Sequence, residues 1–297
     1  MDDYELLACL SVLIPKIAVH DFTLGGVGSA LWGRSEELLA RASRIRERCH
    51  AAGVRILHPA HPDYPHEFWA LENPPLFLSM FGQPAWLDRP CLSVVGSRDP
   101  SVQAIEWLEL HLPRFMNYRP VAIVSGGARG IDQKAHALSL GSKQPTVAFL
   151  PSGIEAVYPH EFRHWIAEIL DGGGAVLSEF APDEPMRKGH FERRNRMIAA
   201  LGVLTLVAEA RRRSGSVMTA RLARDLGRTV AAPPASPLDG RAAGTLDILF
   251  DGGQMVREAE DIVTLFDRDY LSVRRGYLCA MVRQSAPGSS EAPHRRD

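Results

Sequence analysis

Lysine is almost missing from this chain. Of the 34 lysines and arginines in 297 residues, only Lys16, Lys134, Lys143 and Lys188 are lysines, leaving 30 arginines. A bias this general reflects genome composition, so arginine abundance by itself argues nothing about function. Net charge is also missing: the formal value is −1, which excludes the global basic field of an obvious nucleic-acid binder. Any basic footprint has to be local. Cysteine is scarce as well. Cys9, Cys49, Cys91 and Cys279 form no C-x-x-C pair, which fits neither a disulfide framework nor a zinc site and suits a reducing cytosol. Long hydrophobic runs are absent, none approaching the roughly 18 apolar residues of a membrane span. The start, Met1-Asp2-Asp3-Tyr4-Glu5, is acidic where a signal peptide needs positive charge. These absences predict a soluble cytoplasmic protein with no membrane partner.

What is present is an ordinary globular composition, 45% apolar and 23% charged. Residues 1–50 read as a small helical unit. Residues 51–90, rich in proline and aromatics, read as an extended connector packing on the core. From Cys91 the pattern turns regular. Apolar β-like runs recur at 91–95, 121–125, 145–150, 174–178, 203–208 and 228–232, separated by helix-like stretches near 101–115, 131–141, 160–170, 192–201, 216–227 and 242–250. Continuous apolar strands alternating with helices predict a doubly wound, mostly parallel α/β domain over 91–266, Rossmann-like in class. Residues 267–297, ending RQSAPGSSEAPHRRD, read as a short segment and a disordered tail.

In such a fold, ligands sit outside the carboxyl ends of the strands. The first strand run ends in Gly96-Ser97-Arg98, the second in Ser125-Gly126-Gly127-Ala128-Arg129, the fifth in Glu209 followed by Ser214-Gly215-Ser216. Three glycine-containing turns on one edge predict a concave surface rich in backbone N–H groups and suited to phosphates. Arg98 at its mouth is suited to a nucleotide phosphate, a nucleic-acid phosphate or a neighbouring carboxylate. Between Arg187 and Arg228 eleven basic side chains face only Glu192, Glu209 and Asp225. Lys188, Phe191, Arg194, Asn195 and Arg196 fall in this stretch, and basic residues interleaved with an aromatic suit single-stranded nucleic acid. Arg211–Arg213, a bare run in a loop, reads as a solvated face.

Catalytic chemistry is poorly supported. Glu179 and Glu209 form a conceivable acid/base pair, but no nucleophile–histidine arrangement or metal-ligand cluster accompanies them. His136 reads as a packed histidine and Asp132 as a favourable first-turn charge. Ser125 and Ser214 read as anion or turn hydroxyls. No cofactor and no metal is expected.

Seven blocks resemble, in order and spacing, the DNA-processing protein A family (DprA, also called Smf): VVGSR (94–98), SGGARGIDQKAHALSL (125–140), GIEAVYP (153–159), GAVLSEFAP (174–182), HFERRNRMIAAL (190–201), EARRRSGSVMTARLARDLGR (209–228) and GTLDILFDGG (244–253). The resemblance implies a non-enzymatic, Rossmann-like protein that binds single-stranded DNA, protects it during natural transformation and loads the RecA recombinase as a homodimer. It implies that Arg98 and Lys188 are the main backbone-binding positions, with Phe191, Arg194, Asn195 and Arg196 alongside and Ser125, Gly126 and Gly127 facing a phosphate. Four phosphate contacts, from Arg98, Lys188, Arg194 and Arg196, imply a slope of log affinity against log salt of about −3. Glu192 departs from the family's proline, and APP (232–234) and GTL (244–246) replace its VPG and GTN. Residues 1–50 match its helix-hairpin-helix-like unit loosely, and no winged-helix segment is expected after 270. Two other ligand classes remain: a nucleotide-hydrolysing, phosphoribohydrolase-like enzyme, for which the PGG-x-GT turn is lacking, and a sensor of a small nucleotide.

Overall fold

The computed structural model describes residues 2–14, 16–22 and 26–285, with side chains to residue 272. Nine strands form one sheet: β1 (Arg55–Leu57), β2 (Leu78–Gly82), β3 (Cys91–Val95), β4 (Ala122–Ser125), β5 (Thr146–Phe149), β6 (Ala175–Ser178), β7 (Leu204–Val207), β8 (Thr229–Ala232) and β9 (Gln254–Met255). Their order is β1-β2-β6-β5-β4-β3-β7-β8-β9. The seven strands from β6 to β9 are parallel; β2 runs antiparallel to β6, and β1 to β2. The doubly wound sheet expected from the sequence is therefore present, extended at one edge by two strands from the proline-rich segment.

Alternation along the strands builds two cores. Cys91, Val95, Val124, Val147, Phe149 and Leu177 face α7 (His190–Leu201) and α8 (Gly215–Asp225). Leu92, Val94, Ile123, Leu204 and Leu206 face α4 (Val102–Tyr118), α5 (Ile131–Gly141) and α10 (Ala259–Ser285). On the same side, Ala148, Leu150 and Val176 pack against α6 (Arg163–Asp171) and the amino-terminal helices α1 (Asp2–Leu13), α2 (Gly26–Leu31) and α3 (Glu36–Ala51). A last helix, α9 (Ala243–Phe250), adds Ile248 to the first core. Both faces of the parallel strands are thus covered, the reason these strands read as unbroken apolar runs. Helix α10 continues through residue 266 to Ser285, because no proline interrupts the chain before Pro287. The expected tail from 286 onward lies outside the described residues. No helix among the described residues is long and apolar enough to cross a membrane.

The chain winds from β3 outward to β6, then returns to lay β7 on the other side of β3. That reversal opens a crevice between the carboxyl ends of β3 and β7, the place where open α/β sheets take ligands.

Candidate nucleic-acid interface

The crevice is real. A cavity of about 500 Å³ is lined by Gly96, Ser97 and Arg98 after β3, by Asp132 of α5, by Phe191, Arg194 and Asn195 of α7, and by Ser214, Gly215 and Ser216 at the start of α8. Ser214 caps α8, its Oγ accepting from the Val217 amide, and the Ser216 Oγ donates to the Gly96 carbonyl at 2.7 Å. The Asn195 amide donates to the Gly215 carbonyl at 3.3 Å. These bonds lock the first and third expected turns together across the crevice.

Arg98 is exposed, makes no ion pair among the described residues, and its guanidinium lies 4.7 Å from the Phe191 ring centroid. Stacking uses the face of the guanidinium and leaves its in-plane N–H groups for an anion. Lys188 is exposed in the turn before α7 and is likewise free of ion pairs. Gly189, at φ 91, makes the left-handed turn between Lys188 and the helix.

Helix α7 divides the remaining basic residues. Phe191, Arg194, Asn195 and Ile198 share one face, at i, i+3, i+4 and i+7, and all line the cavity. Arg193 and Arg196 stand on another face, over a separate cleft against the amino-terminal unit that also contains Glu192. There Arg196 pairs with Glu179 and donates to the Asn73 carbonyl, while Arg193 reaches Glu179 at 3.2 Å. Arg196 is thus not brought to the crevice with Arg98, and Glu192 does not stand at its wall.

Arg194 is in the crevice but only 3% exposed. Its Nη1 donates to the Phe149 carbonyl at 2.8 Å, and its Nε has no hydrogen-bond partner among the described residues. It passes directly beneath Gly126, where an added Cβ would fall 1.9 Å from Nη1 and 2.5 Å from an Asp132 oxygen. Gly126 is required by this close approach rather than by a ligand. Asp132, expected as no more than a first-turn charge, is part of the site. It is buried under the cavity, its carboxylate held by the backbone amides of Ala128 and Gly96. Burial pushes its pKa up to about 6 against the pull of Arg194, and burial lowers Arg194 to about 10.

The second turn is engaged internally. The Ser125 hydroxyl donates to the Val94 carbonyl at 2.6 Å inside the sheet, Gly127 packs on Phe162, and Arg129 is exposed but paired with Glu161. His136, buried and held near pKa 4 by desolvation, is neutral and bridges Thr146 and the Gly126 carbonyl. Glu209 accepts the Ser101 amide on both oxygens, at 3.1 and 3.2 Å, at the start of α4. It anchors a helix, and Glu179 anchors two arginines, so the carboxylates of the conceivable acid/base pair are each committed elsewhere. No group of three metal-ligating side chains occurs among the described residues. Arg211 and Thr219 line the cavity too. Thr219 was legible in principle, four residues beyond Gly215 on one helix face.

Comparison with known proteins agrees with this geometry. The chain is 38% identical over 276 residues to a putative DNA processing protein DprA of Mycobacterium tuberculosis, covering 87% of this chain and 70% of that protein. It is 36% identical over 200 residues to the Smf protein of Escherichia coli, covering 67% of this chain but 53% of that protein. The crystal structure of DprA from Streptococcus pneumoniae superposes with a TM-score of 0.68 at 29% identity, over 88% of this chain and 92% of that one. DNA processing protein A from Helicobacter pylori, a structure described for its single-stranded DNA binding mode, gives 0.64 at 27% identity, over 73% and 96%. Residues 55–267, from the first strand of the sheet into its last helix, match the model of one family, and by that match the chain belongs to the DNA recombination-mediator protein A family.

Proposed function

We propose that this protein binds single-stranded DNA, without base specificity and without catalysis, at the crevice between β3 and β7. The observation that carries this reading is Arg98: exposed, free of ion pairs among the described residues, and held 4.7 Å from the Phe191 ring centroid in the wall of the crevice. A planar, permanently charged group held in this way suits bidentate contact with a backbone phosphate. Phe191 acts first as the platform for Arg98, and its ring edge and Tyr158, 6.1 Å away, supply aromatic surface for a base. Lys188, exposed in the turn that leads into α7, takes a second phosphate. Arg194 and Asp132 form the buried floor, which sets the local potential. Delivery of the strand to RecA, and action as a homodimer, are part of the same proposal and rest on family membership alone.

The test is fluorescence anisotropy of a labelled oligothymidylate with the wild type and with Arg98→Ala plus Lys188→Ala at two salt concentrations. Salt-sensitive binding that the double variant loses supports the reading. Binding of a mononucleotide with no affinity for the oligonucleotide would replace it with the nucleotide-sensor alternative, for which a 500 Å³ cavity is also large enough.

A further inference from the structure

Two loops follow neighbouring strands of the sheet, 150–159 after β5 and 179–189 after β6. The first brings the Tyr158 ring centroid to 6.1 Å from that of Phe191, and the second carries Lys188 in the turn before α7. No helix or strand lies within either, so each is held by what it bonds to. They bond to each other. The Gly153 amide donates to the Glu184 carbonyl at 2.7 Å, and the Glu155 amide to the Pro182 carbonyl at 2.9 Å. The approach is so close that a Cβ added to Gly153 would fall 2.1 Å from the Ala181 carbonyl oxygen. At the start of α7, His190 Nδ1 lies 3.1 Å from the Pro151 carbonyl. A further tie comes from the amino-terminal helices. Arg48, in the last turn of α3, donates through Nε to Glu155 at 2.7 Å and through Nη1 to Asp183 at 2.8 Å, one residue of each loop. The Arg48 side chain is 48% exposed and that of Asp183 61%, so these bonds add little to stability. What they fix is spacing, since a planar guanidinium holds both acceptors at set positions.

We propose that the amino-terminal helices serve the strand site through Arg48, a positioning residue that fastens loop 150–159 to loop 179–189 and so holds the turn that presents Lys188 to a phosphate. The inference rests on the single-strand reading above and gives the amino-terminal unit a part in it. Arg48 does not touch the strand, because its guanidinium is committed to two carboxylates. Once it is removed, Glu155 and Asp183 are left as like charges on adjacent loops, and the loop that carries Lys188 loses its outer anchor. Arg98 stands on β3's own turn against Phe191 and keeps its contact. The part of binding that depends on Arg48 is therefore the part supplied by Lys188, about 0.7 of the salt slope on a single strand.

The experiment is a double-variant cycle in the full chain, read by anisotropy of a short labelled oligothymidylate across a salt series: wild type, Arg48→Ala, Lys188→Ala and the two together. The expected result is that each single variant lowers the slope by about 0.7, and that the double variant binds within about twofold of either single one. Asp183→Ala breaks the tie from the other side and separates position from charge. Loss of a carboxylate strengthens binding if charge alone matters, and weakens it if the tie matters. Thermal midpoints of the same samples stay within about 4 °C of the wild type, as exposed ion pairs require. If Arg48→Ala melts well below that, Asp183→Ala takes its place in the cycle. Additive losses in the cycle, tighter binding by Asp183→Ala, or an unchanged slope in Arg48→Ala would each overturn the positioning role while leaving the crevice in place. A wild type that binds no oligothymidylate fails the single-strand reading itself, and the role of Arg48 falls with it.

Discussion

Asp132 is the residue on which the site's electrostatics turn. Its pKa near 6 means that, as pH falls from 7.5 to 5.5, the floor of the crevice loses most of a negative charge while Arg194, at about 10, keeps its positive one. Affinity for a single strand therefore rises over that window, by roughly 3- to 10-fold for one charge a few ångströms from a phosphate. Asp132→Asn removes the dependence and at pH 7.5 binds as tightly as the wild type does at low pH; titrations at three pH values measure both. Stability moves in the same sense. An acid whose folded pKa lies above its unfolded value stabilises the fold while protonated and ceases to as pH rises from about 4 through about 6. Urea denaturation at pH 5 and pH 7 should show that decline in the wild type and its absence in Asp132→Asn. Gly126 makes a steric statement at the same scale. With Arg194 Nη1 1.9 Å from the site of an added Cβ and unable to leave its carbonyl cheaply, Gly126→Ala should cost about 1–3 kcal/mol, read by denaturant midpoint.

Helix α7 shows how one element serves two purposes. Phe191→Ala should weaken strand binding several-fold with little change in thermal midpoint, because it frees Arg98 without opening the core. Arg196→Ala should do the opposite, leaving binding nearly intact while lowering stability, since it leaves a buried Glu179 with only the more exposed Arg193. Anisotropy and thermal melts on the same two variants separate the faces. The sequence was legible where elements repeat a pattern: β3 to β8 are short apolar runs alternating with helical stretches, and all six lie within a residue or two of where the pattern puts them. It was not legible at β1, three residues in a proline-rich stretch, or at β9, two exposed residues, because edge strands that short carry no periodicity. In the site, the turns at Gly96–Arg98 and Ser214–Ser216 were readable as strand ends. The burial of Arg194, the partnering of Arg196 and the inward hydroxyl of Ser125 were not, since they depend on which helix face meets the sheet.

For the whole molecule, a net charge of −1 means that long-range attraction of DNA is negligible and the salt dependence reports local contacts alone. Four contacts on one short strand would give a slope of about −3. The structure allots those four cations differently. Arg194 is buried and spent on the Phe149 carbonyl, and Arg196 is paired with Glu179 beyond the helix, so Arg98 and Lys188 are the two left for a short strand. Two contacts at about 0.7 each give a slope near −1.4, and Arg98→Ala should halve it to about −0.7. Titrations of a short oligothymidylate between low and physiological salt measure both values. A wild-type slope near −3 on that short strand would mean that Arg194 and Arg196 both leave their internal partners on binding. The crevice would then be remade by its ligand rather than preformed.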